Sequence, residues 1–393
     1  MNSAEAYESW LREVLLELLR TSTEVPVGHT QILPGDPRIV RAVDEEVAPI
    51  IEALGPDEVL RHESGDVAAR FGPERDDGLL LQTYIVSQHA NLMDDPHDAR
   101  IVDGAEYGLV PGPCAVGQGA TQNKGPMASA LAAVRARPAD LTRPVWLVVN
   151  TEGMSSHAGS RRVLDELGVR AAWGIVAFGT DLRVSLGNRG RVDVQVTVAG
   201  RSSHSSQPWL GTNPIEGAAA VIGVLRSIPT VDPHPDLGPA TVTPFAMSCF
   251  PVAPHTIPER ATISVDRRLL PGGSAEDAVT EIRDHLTREL PDTSLVVEAG
   301  ESMLPAEVDP HSPVVTSLLE GIERASGGPG ETFWSLNAFD AGYACARGIP
   351  TPMFGPGKRA FASAGLTGVD LVPLADCEIA AGAIAHAIRR LCG

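Results

Sequence analysis

The sequence predicts an α/β protein in which a mixed-sheet domain is interrupted by a small inserted βαββαβ domain. Two patterns indicate the larger domain. Short apolar runs typical of buried strands, GLLLQTYIVSQ at 78–88 and PVWLVVN at 144–150, flank an Ala-rich helical stretch that is closed by a Pro. A third pattern marks the inserted domain, because RVDVQVTVAG at 191–200 alternates with period two, like a half-exposed strand.

The other elements follow in order along the chain. Apolar residues at helical spacing predict helices over 4–20 and 37–54, and AAWGIVAFG at 171–179 supplies another buried strand. For the inserted domain we expect a helix, two strands, a capped helix and a last strand, at 213–227, near 243–250, near 260–269, at 274–290 and at 294–299. The α/β pattern then returns, with a helix from 312 and a final helix at 376–391.

Composition and charge narrow the classes of function. The formal net charge of −19 over 393 residues argues against nucleic acid, whose phosphates would be repelled. No apolar run approaches the ~18 residues that a membrane span needs, and the acidic first helix lacks the basic region of a signal peptide. We therefore expect a cytoplasmic protein without a membrane partner. Five scattered cysteines without a CxxC support neither a disulfide framework nor a Cys-rich zinc site.

Four segments carry the strongest functional signal: SQHANLMDDP at 87–96, GQGATQNKG at 117–125, NTEGMSSHAGSRRVL at 150–164 and GRSSHSSQPWLGTNPIEG at 200–217. Together they resemble the dinuclear-zinc family of aminoacylases, acetylornithine and succinyl-diaminopimelate deacylases, and glutamate carboxypeptidases. The resemblance covers nearly the whole chain.

The resemblance implies a domain layout and an assembly. A catalytic domain in two parts, 1–189 and 301–393, is split by a ferredoxin-like lid domain at 190–300, which also makes the dimer contact in this family. We therefore expect a homodimer formed through the lid domain.

The resemblance also implies two zinc ions, whose ligands are largely missing from this sequence. The family's first motif is His-x-Asp, in which the His binds metal, and the matching residues are His89 and Asn91. Asn91 can orient a neighbour by hydrogen bonding but carries no charge. The Asp that bridges both metals is replaced by Asn123, whose neutral amide oxygen is poorly suited to bridging two dications.

The later ligand positions depart further from the family. Its two adjacent Glu, a general base and a metal ligand, correspond to Gly153 and Met154, with Glu152 displaced by one position and still a candidate base. The fourth ligand corresponds to Gly179, and the stretch 358–372 contains no His for the fifth. Divalent cations need several anionic or imidazole ligands. We therefore predict no metal ligands and no cofactor.

Zinc or manganese remains the alternative. A substitute site built from His157, Glu152 and Asp181 would supply one imidazole and two carboxylates. It would make the protein an ordinary metallohydrolase with an atypical ligand set.

The residues that match the family's substrate contacts have survived. His204 matches the lid His that reaches the partner subunit's site and stabilises the oxyanion, Asn213 matches a substrate-contacting Asn, and Arg268 matches the Arg that clamps a carboxylate. His255 stands where the family usually has Asn, and Lys124 offers positive charge in place of the cations. Each residue also has a structural interpretation, as a helix cap, a surface Arg or a solvated His.

Three hypotheses about function follow. The first is a metal-independent enzyme that acts on the amide or another C–N bond of a small carboxylate-bearing, acyl-amino-acid-like substrate, through His89, Asn123, Lys124, Glu152 and His204. Acyl transfer, cyclisation or elimination are possible reactions of the same site. The second is the ordinary metal-dependent aminoacylase or carboxypeptidase. The third is a non-catalytic protein that binds an acyl amino acid or peptide.

Overall fold

The structure is a computed structural model and describes residues 3–26, 32, 34–87, 93–109, 111–152, 156–229, 233–357 and 368–393. The chain divides into two compact units. Unit 1 contains Met1–Gly187, Glu307–Phe333 and Tyr343–Gly393, and unit 2 contains Asn188–Ala306 and Trp334–Gly342. The domain boundaries expected from the sequence, near 190 and 300, stay a prediction.

The strands of the described residues are, in chain order, β1 (Glu58–Arg61), β2 (Val67–Phe71), β3 (Leu79–Tyr84), β4 (Arg100–Asp103), β5 (Pro113–Val116), β6 (Val145–Asn150), β7 (Trp173–Ala177), β8 (Val184–Asn188), β9 (Gly190–Ala199), β10 (Ser203–His204), β11 (Val242–Phe250), β12 (Thr256–Ile257), β13 (Arg260–Leu269), β14 (Leu295–Met303), β15 (Ala306–Glu307), β16 (Thr332–Ser335), β17 (Met353–Phe354) and β18 (Leu371–Pro373).

The α-helices of the described residues are α1 (Ser3–Arg20), α2 (Pro37–Ala42), α3 (Ala48–Ala53), α4 (Gly125–Arg135), α5 (Ala158–Arg161), α6 (Pro214–Leu225), α7 (Ala275–Glu289), α8 (Pro313–Ser326), α9 (Ala341–Ala346) and α10 (Leu374–Cys392). Val43–Val47, Ala120–Lys124 and Arg162–Glu166 are π-helical, and Gly104–Tyr107 and Pro208–Leu210 are 3-10 turns. The single helix expected over 37–54 is therefore α2 and α3 joined by a π-helical turn.

The main sheet of unit 1 has the strand order β1-β2-β6-β3-β7-β17. Strands β3, β6 and β7 run parallel, with Leu79 opposite Val145 on one side and Trp173 on the other. Every residue of β3 and β6 is buried, as expected for a sheet covered on both faces. The carboxyl ends of these three strands consequently meet at one edge of the sheet, where α/β folds commonly bind ligands.

Helix α4 is the central helix of unit 1. Its residues from Gly125 to Val134 are all buried, and it packs against α1 and α10. Small Ala side chains let these helices approach closely, which suits a chain with only 4% aromatic residues. Because α4 follows the π-helical turn Ala120–Lys124 directly, its burial fixes that turn against the sheet.

Unit 2 has the βαββαβ order that the sequence predicts. Its antiparallel sheet runs β11-β13-β9-β14, and β11 is an edge strand. Alternate residues of β9, from Val192 to Val198, point into a core shared with α6 and α7. The predicted fold class, an α/β domain with an inserted ferredoxin-like unit, is confirmed.

Within the parts of the chain that the structure describes, no helix is long and apolar enough to cross a bilayer.

Candidate active site

The first and third motifs, and the position of the fourth family ligand, follow the carboxyl ends of parallel strands in unit 1. His89 and Asn91 come after β3 but lie outside the described residues, so their predicted roles stay predictions. Glu152 follows β6, and Gly179 follows β7. The parallel register of the three strands therefore brings the chain segments of the candidate site to one edge of the sheet.

Asn123 is fully buried in the π-helical turn before α4. Its Nδ2 donates hydrogen bonds to the carbonyl oxygens of Tyr84, at 3.0 Å, and Val86, at 3.1 Å. Its Oδ1 is buried without a hydrogen-bond partner. The amide is thus oriented by the end of β3, and a carboxylate here would place a negative oxygen against two carbonyl oxygens. The neutral amide is the side chain that this packing accepts.

Lys124 is also fully buried, and its Nζ donates to the carbonyl oxygen of Thr21 at 2.6 Å. Burial lowers its pKa to about 8, although the negative charges of Glu24 and Asp370 act in the opposite direction. The ammonium therefore ties the segment after α1 to the loop before α4. The predicted contribution of Lys124 to the positive lining of the site stays a prediction.

Asp370 holds the glycine loop that leads to Asn123, and the sequence analysis did not single it out. Its carboxylate accepts hydrogen bonds from the backbone N–H groups of Gly119 and Thr121, both at 2.8 Å. Burial raises the pKa of this carboxyl to about 6, against the effect of those hydrogen bonds. Asp370 could not be identified from the sequence, because nothing near it in the chain shows that it contacts Gly119 and Thr121.

This raised pKa predicts a specific pH dependence of stability. Because the pKa of Asp370 in the folded protein, about 6, exceeds the ordinary 3.8, the group contributes stability below about pH 4 that is lost as the pH rises through 6. When the pH is raised from 4 to 7, the free energy of unfolding should therefore fall less in Asp370→Asn than in wild type. The difference between the two decreases should be up to about 3 kcal/mol. Urea unfolding at both pH values measures this difference. An equal or larger loss in the variant would show that the pKa is not raised.

Glu152 lies in a buried ion network that the sequence analysis missed. Nη1 of Arg162 donates to its Oε1 at 2.8 Å, and Nε of the same guanidinium pairs with the carboxylate of Asp66. Asp66 also accepts hydrogen bonds from the backbone N–H of Thr151, at 2.7 Å, and the hydroxyl of Ser64, at 2.8 Å. Glu152 is thus held in place by the guanidinium of Arg162. Its role as a base stays a prediction.

Gly179, at the position of the fourth family ligand, has no room for a side chain. A Cβ atom built there would lie 2.2 Å from the carbonyl oxygen of Thr121, which real Cβ atoms essentially never do. The backbone N–H of Gly179 donates to the carbonyl oxygen of Gln122 at 3.1 Å, so the two loops pack backbone against backbone. The missing carboxylate could not be restored here without moving the loop that carries Asn123.

At the ligand positions that the structure describes, the residues do not fit the dinuclear centre that the resemblance implies. Asn123 directs its nitrogen at two carbonyls, Gly179 excludes any side chain, and Glu152 is paired with Arg162. Within the ranges that the structure describes, no group of three or more His, Cys, Asp or Glu side chains could hold a metal ion. The substitute set of His157, Glu152 and Asp181 therefore does not come together.

Two of the predicted residues of unit 2 lie near each other on its surface. The rings of His204 and His255 are 6.3 Å apart between centroids, and both residues are exposed. Nδ1 of His204 lies 2.8 Å from the hydroxyl of Ser206. An exposed imidazole of this kind can take part in contacts outside its own unit.

The other two predicted residues of unit 2 have structural partners. Asn213 caps α6, since its Oδ1 accepts from the N–H of Ile215 at 3.1 Å. Arg268 forms a two-point ion pair with Asp266, through Nε at 2.8 Å and Nη2 at 3.0 Å. Both observations match the structural interpretations considered above, and the proposed substrate contacts stay predictions.

Comparisons with known proteins agree with this architecture. The peptidase dimerisation domain model matches residues 186–294, which is most of unit 2. Over its full length the fold is similar to an M20 family metallo-carboxypeptidase from Sulfolobus solfataricus, with a TM-score of 0.72, 15% identity, and coverage of 97% of this chain and 99% of that one.

Curated relatives are named as hydrolases of amide bonds. A succinyl-diaminopimelate desuccinylase of Acidiphilium cryptum is 26% identical over 64% of this chain and 67% of its own length. An acetylornithine deacetylase of Vibrio campbellii is 29% identical over 40% of this chain and 41% of its own length. Residues 186–294 thus match the peptidase dimerisation domain, and the fold of the chain is similar to that of an M20 family metallo-carboxypeptidase.

Proposed function

We propose that this protein is an amidohydrolase that works without a metal ion, on the amide bond of a small carboxylate-bearing, acyl-amino-acid-like substrate. The relatives support the reaction class, because they are named as a desuccinylase, a deacetylase and a carboxypeptidase. One observation carries the metal independence: the Cβ position of Gly179 is only 2.2 Å from a carbonyl oxygen, so a ligand carboxylate has been replaced by close backbone packing.

Without a cation, the developing negative charge on the amide oxygen must be stabilised by protein donors. We assign this work to the imidazoles of His89 and His204, the latter supplied by the second subunit. Asn91 orients a neighbouring group, and Glu152 deprotonates the attacking water. One well-placed oxyanion donor typically contributes ~3–4 kcal/mol, so two imidazoles could replace a useful part of the stabilisation that a metal gives.

The proposed homodimer uses the edge strand β11. The matched dimerisation domain supports a second copy of this chain as the occupant of that edge. The strand and the residues just after it expose apolar side chains, namely Phe245, Met247, Phe250 and Val252, at 50% to 90% of their surface. An unpaired edge with such side chains favours pairing with another chain.

The dimer is tested by adding charge to this edge. Phe245→Lys should convert the protein to a monomer, because each copy would bring a lysine charge into the pair of edge strands. Light scattering after size-exclusion chromatography measures the mass. Leu336→Lys is the matched control, since Leu336 is 52% exposed but lies outside β11, and it should leave the dimer intact. A dimeric Phe245→Lys protein would remove β11 from the interface.

A non-catalytic binding protein is the second candidate. It is favoured by the contacts of two proposed catalytic residues. Lys124 donates its hydrogen bond to a backbone carbonyl, and the carboxylate of Glu152 is paired with Arg162. Under this alternative, acyl amino acids would bind and stabilise the protein without turnover.

One experiment separates the candidates. Purified protein is incubated in excess chelator with a panel of N-acetyl and N-succinyl amino acids, and released amine is measured beside the thermal unfolding midpoint. Chelator-resistant release of amine supports the proposed enzyme. Stabilisation without release supports the binding protein, and release that is abolished by chelator supports an ordinary metallohydrolase.

A further inference from the structure

Unit 2 contains a buried arginine whose charge has no carboxylate partner among the residues that the structure describes. Among the described residues three arginines are buried, and two of them, Arg162 and Arg267, pair with carboxylates. Arg189 is only 8% exposed, and its one side-chain hydrogen bond is from Nη2 to the carbonyl oxygen of Leu237. Its Nε is buried without any partner. A buried cation without a counter-charge is costly, so this arrangement needs an explanation.

The guanidinium is held in a defined position by its surroundings. The carbonyl of Leu237 is presented by a tight turn, in which the backbone N–H and C=O groups of His234 and Gly238 bond each other at 3.1 and 2.8 Å. The ring of His234 lies 4.7 Å from the ring of Trp334. The backbone N–H of Arg189 donates to the carbonyl oxygen of Ser335 at 3.1 Å. These contacts orient the side chain before any ligand arrives, which lowers the entropic cost of binding.

The charges nearest to Arg189 leave one positive charge unbalanced. Arg268 is close enough that its charge, together with the larger effect of burial, lowers the pKa of Arg189. Arg268 itself is neutralised by the two-point pair with Asp266. Arg191 lies 3.7 Å from the carboxylate of Asp193. One anionic group would therefore complete the charge balance around Arg189.

We propose that Arg189 binds the carboxylate of a small ligand, in the role that the sequence resemblance gives to Arg268. The planar guanidinium matches the two oxygens of a carboxylate, and Nη1 is left without a protein partner to receive one. The single unbalanced charge favours a monoanion over phosphate, of which a substantial share is dianionic at neutral pH. The choice of a carboxylate rests on the proposed function, whereas the need for an anion rests on the geometry alone.

Calorimetric titration of the full-length protein tests this site. The probe is N-acetylglycine, with the neutral N-acetylglycinamide and inorganic phosphate as comparison ligands. We expect N-acetylglycine to bind and the neutral amide not to bind. Arg189→Lys should weaken the binding about tenfold or more, because an ammonium cannot present two parallel N–H groups. Arg191→Lys is the matched control and should bind like wild type. Equal binding by Arg189→Lys and wild type, or tighter binding of phosphate than of N-acetylglycine, would overturn the proposal.

A second variant keeps the test informative if Lys is tolerated as a partial substitute. Arg189→Met removes the unbalanced charge and keeps the apolar stem, so the ligand-free variant should unfold at or above the midpoint of wild type. It should also lose the upward shift of the midpoint that N-acetylglycine gives the wild type. A clear loss of stability without ligand would show that the charge already has a partner. Since titration needs no turnover, a protein that hydrolyses nothing but binds through Arg189 would refute the proposed function and leave this inference standing.

Discussion

Replacing Asn123 by Asp should destabilise the protein by about 3 to 5 kcal/mol at neutral pH. The amide nitrogen donates to the carbonyl oxygens of Tyr84 and Val86 in a fully buried place. A carboxylate cannot donate to either oxygen, so two buried acceptors would lose their partner and face a negative charge. Restoring the family's bridging residue is thus expected to damage the fold. Urea unfolding of both proteins measures the loss.

A control and a rescue experiment accompany this prediction. Asn213→Asp makes the same chemical change at a partly exposed helix cap, where Asp caps as well as Asn. It loses the hydrogen bond from Nδ2 to Glu216, but solvent screens the repulsion from that exposed carboxylate, so stability should alter by less than about 1 kcal/mol. Lowering the pH should reduce the defect of Asn123→Asp, because the protonated acid can donate one hydrogen bond. If zinc instead made Asn123→Asp more stable than wild type, the position would still be a metal site.

Arg162→Met should also cost about 3 to 5 kcal/mol, because it removes a cation that pairs with two buried carboxylates, those of Asp66 and Glu152. Asp66 is fully buried and Glu152 is 7% exposed, so neither can recover its hydration in place. Charges left unpaired in such a place are expensive. The defect should shrink in acid, where the carboxylates can be protonated. Thermal unfolding at neutral and acidic pH measures both effects.

The neighbouring arginine provides the matched control for this variant. Arg161 is exposed, and Arg161→Met should change stability by less than about 1 kcal/mol. A double variant, Arg162→Met with Glu152→Gln, should be more stable than Arg162→Met alone, because one of the two buried carboxylates that lost the guanidinium is then neutral. If Arg162→Met unfolded like wild type, the ion network would not hold Glu152 in position. Another contact would then have to position Glu152 as the candidate base.

The fold could be predicted from the sequence because its elements are encoded locally. The alternating run of β9 predicts a strand with one buried face, and the continuous apolar runs of β3 and β6 predict strands buried on both faces. The π-helical turn Ala120–Lys124 could not be predicted in this way. Its geometry depends on the contacts of Asn123 with β3 and of the loop with Asp370, which join distant parts of the chain.

The candidate site was only partly predictable for a related reason. The replacement of ligands was visible in the sequence, since Asn123 and Gly179 stand at positions that a motif assigns. What replaces the ligands was not visible, because Arg162 is one of two adjacent arginines on a helical stretch and nothing local shows that it reaches Asp66. The close approach of Gly179 to Thr121 likewise appears only when β7 and the turn before α4 are packed together.

The central claim is that backbone packing and neutral side chains now occupy the positions where the family binds two cations. Metal analysis of protein purified without added metal, followed by calorimetric titration with zinc, tests this claim most directly. We expect no stoichiometric metal and no saturable zinc binding. Stoichiometric zinc or manganese in the purified protein, lost together with activity when a chelator is added, would contradict the account.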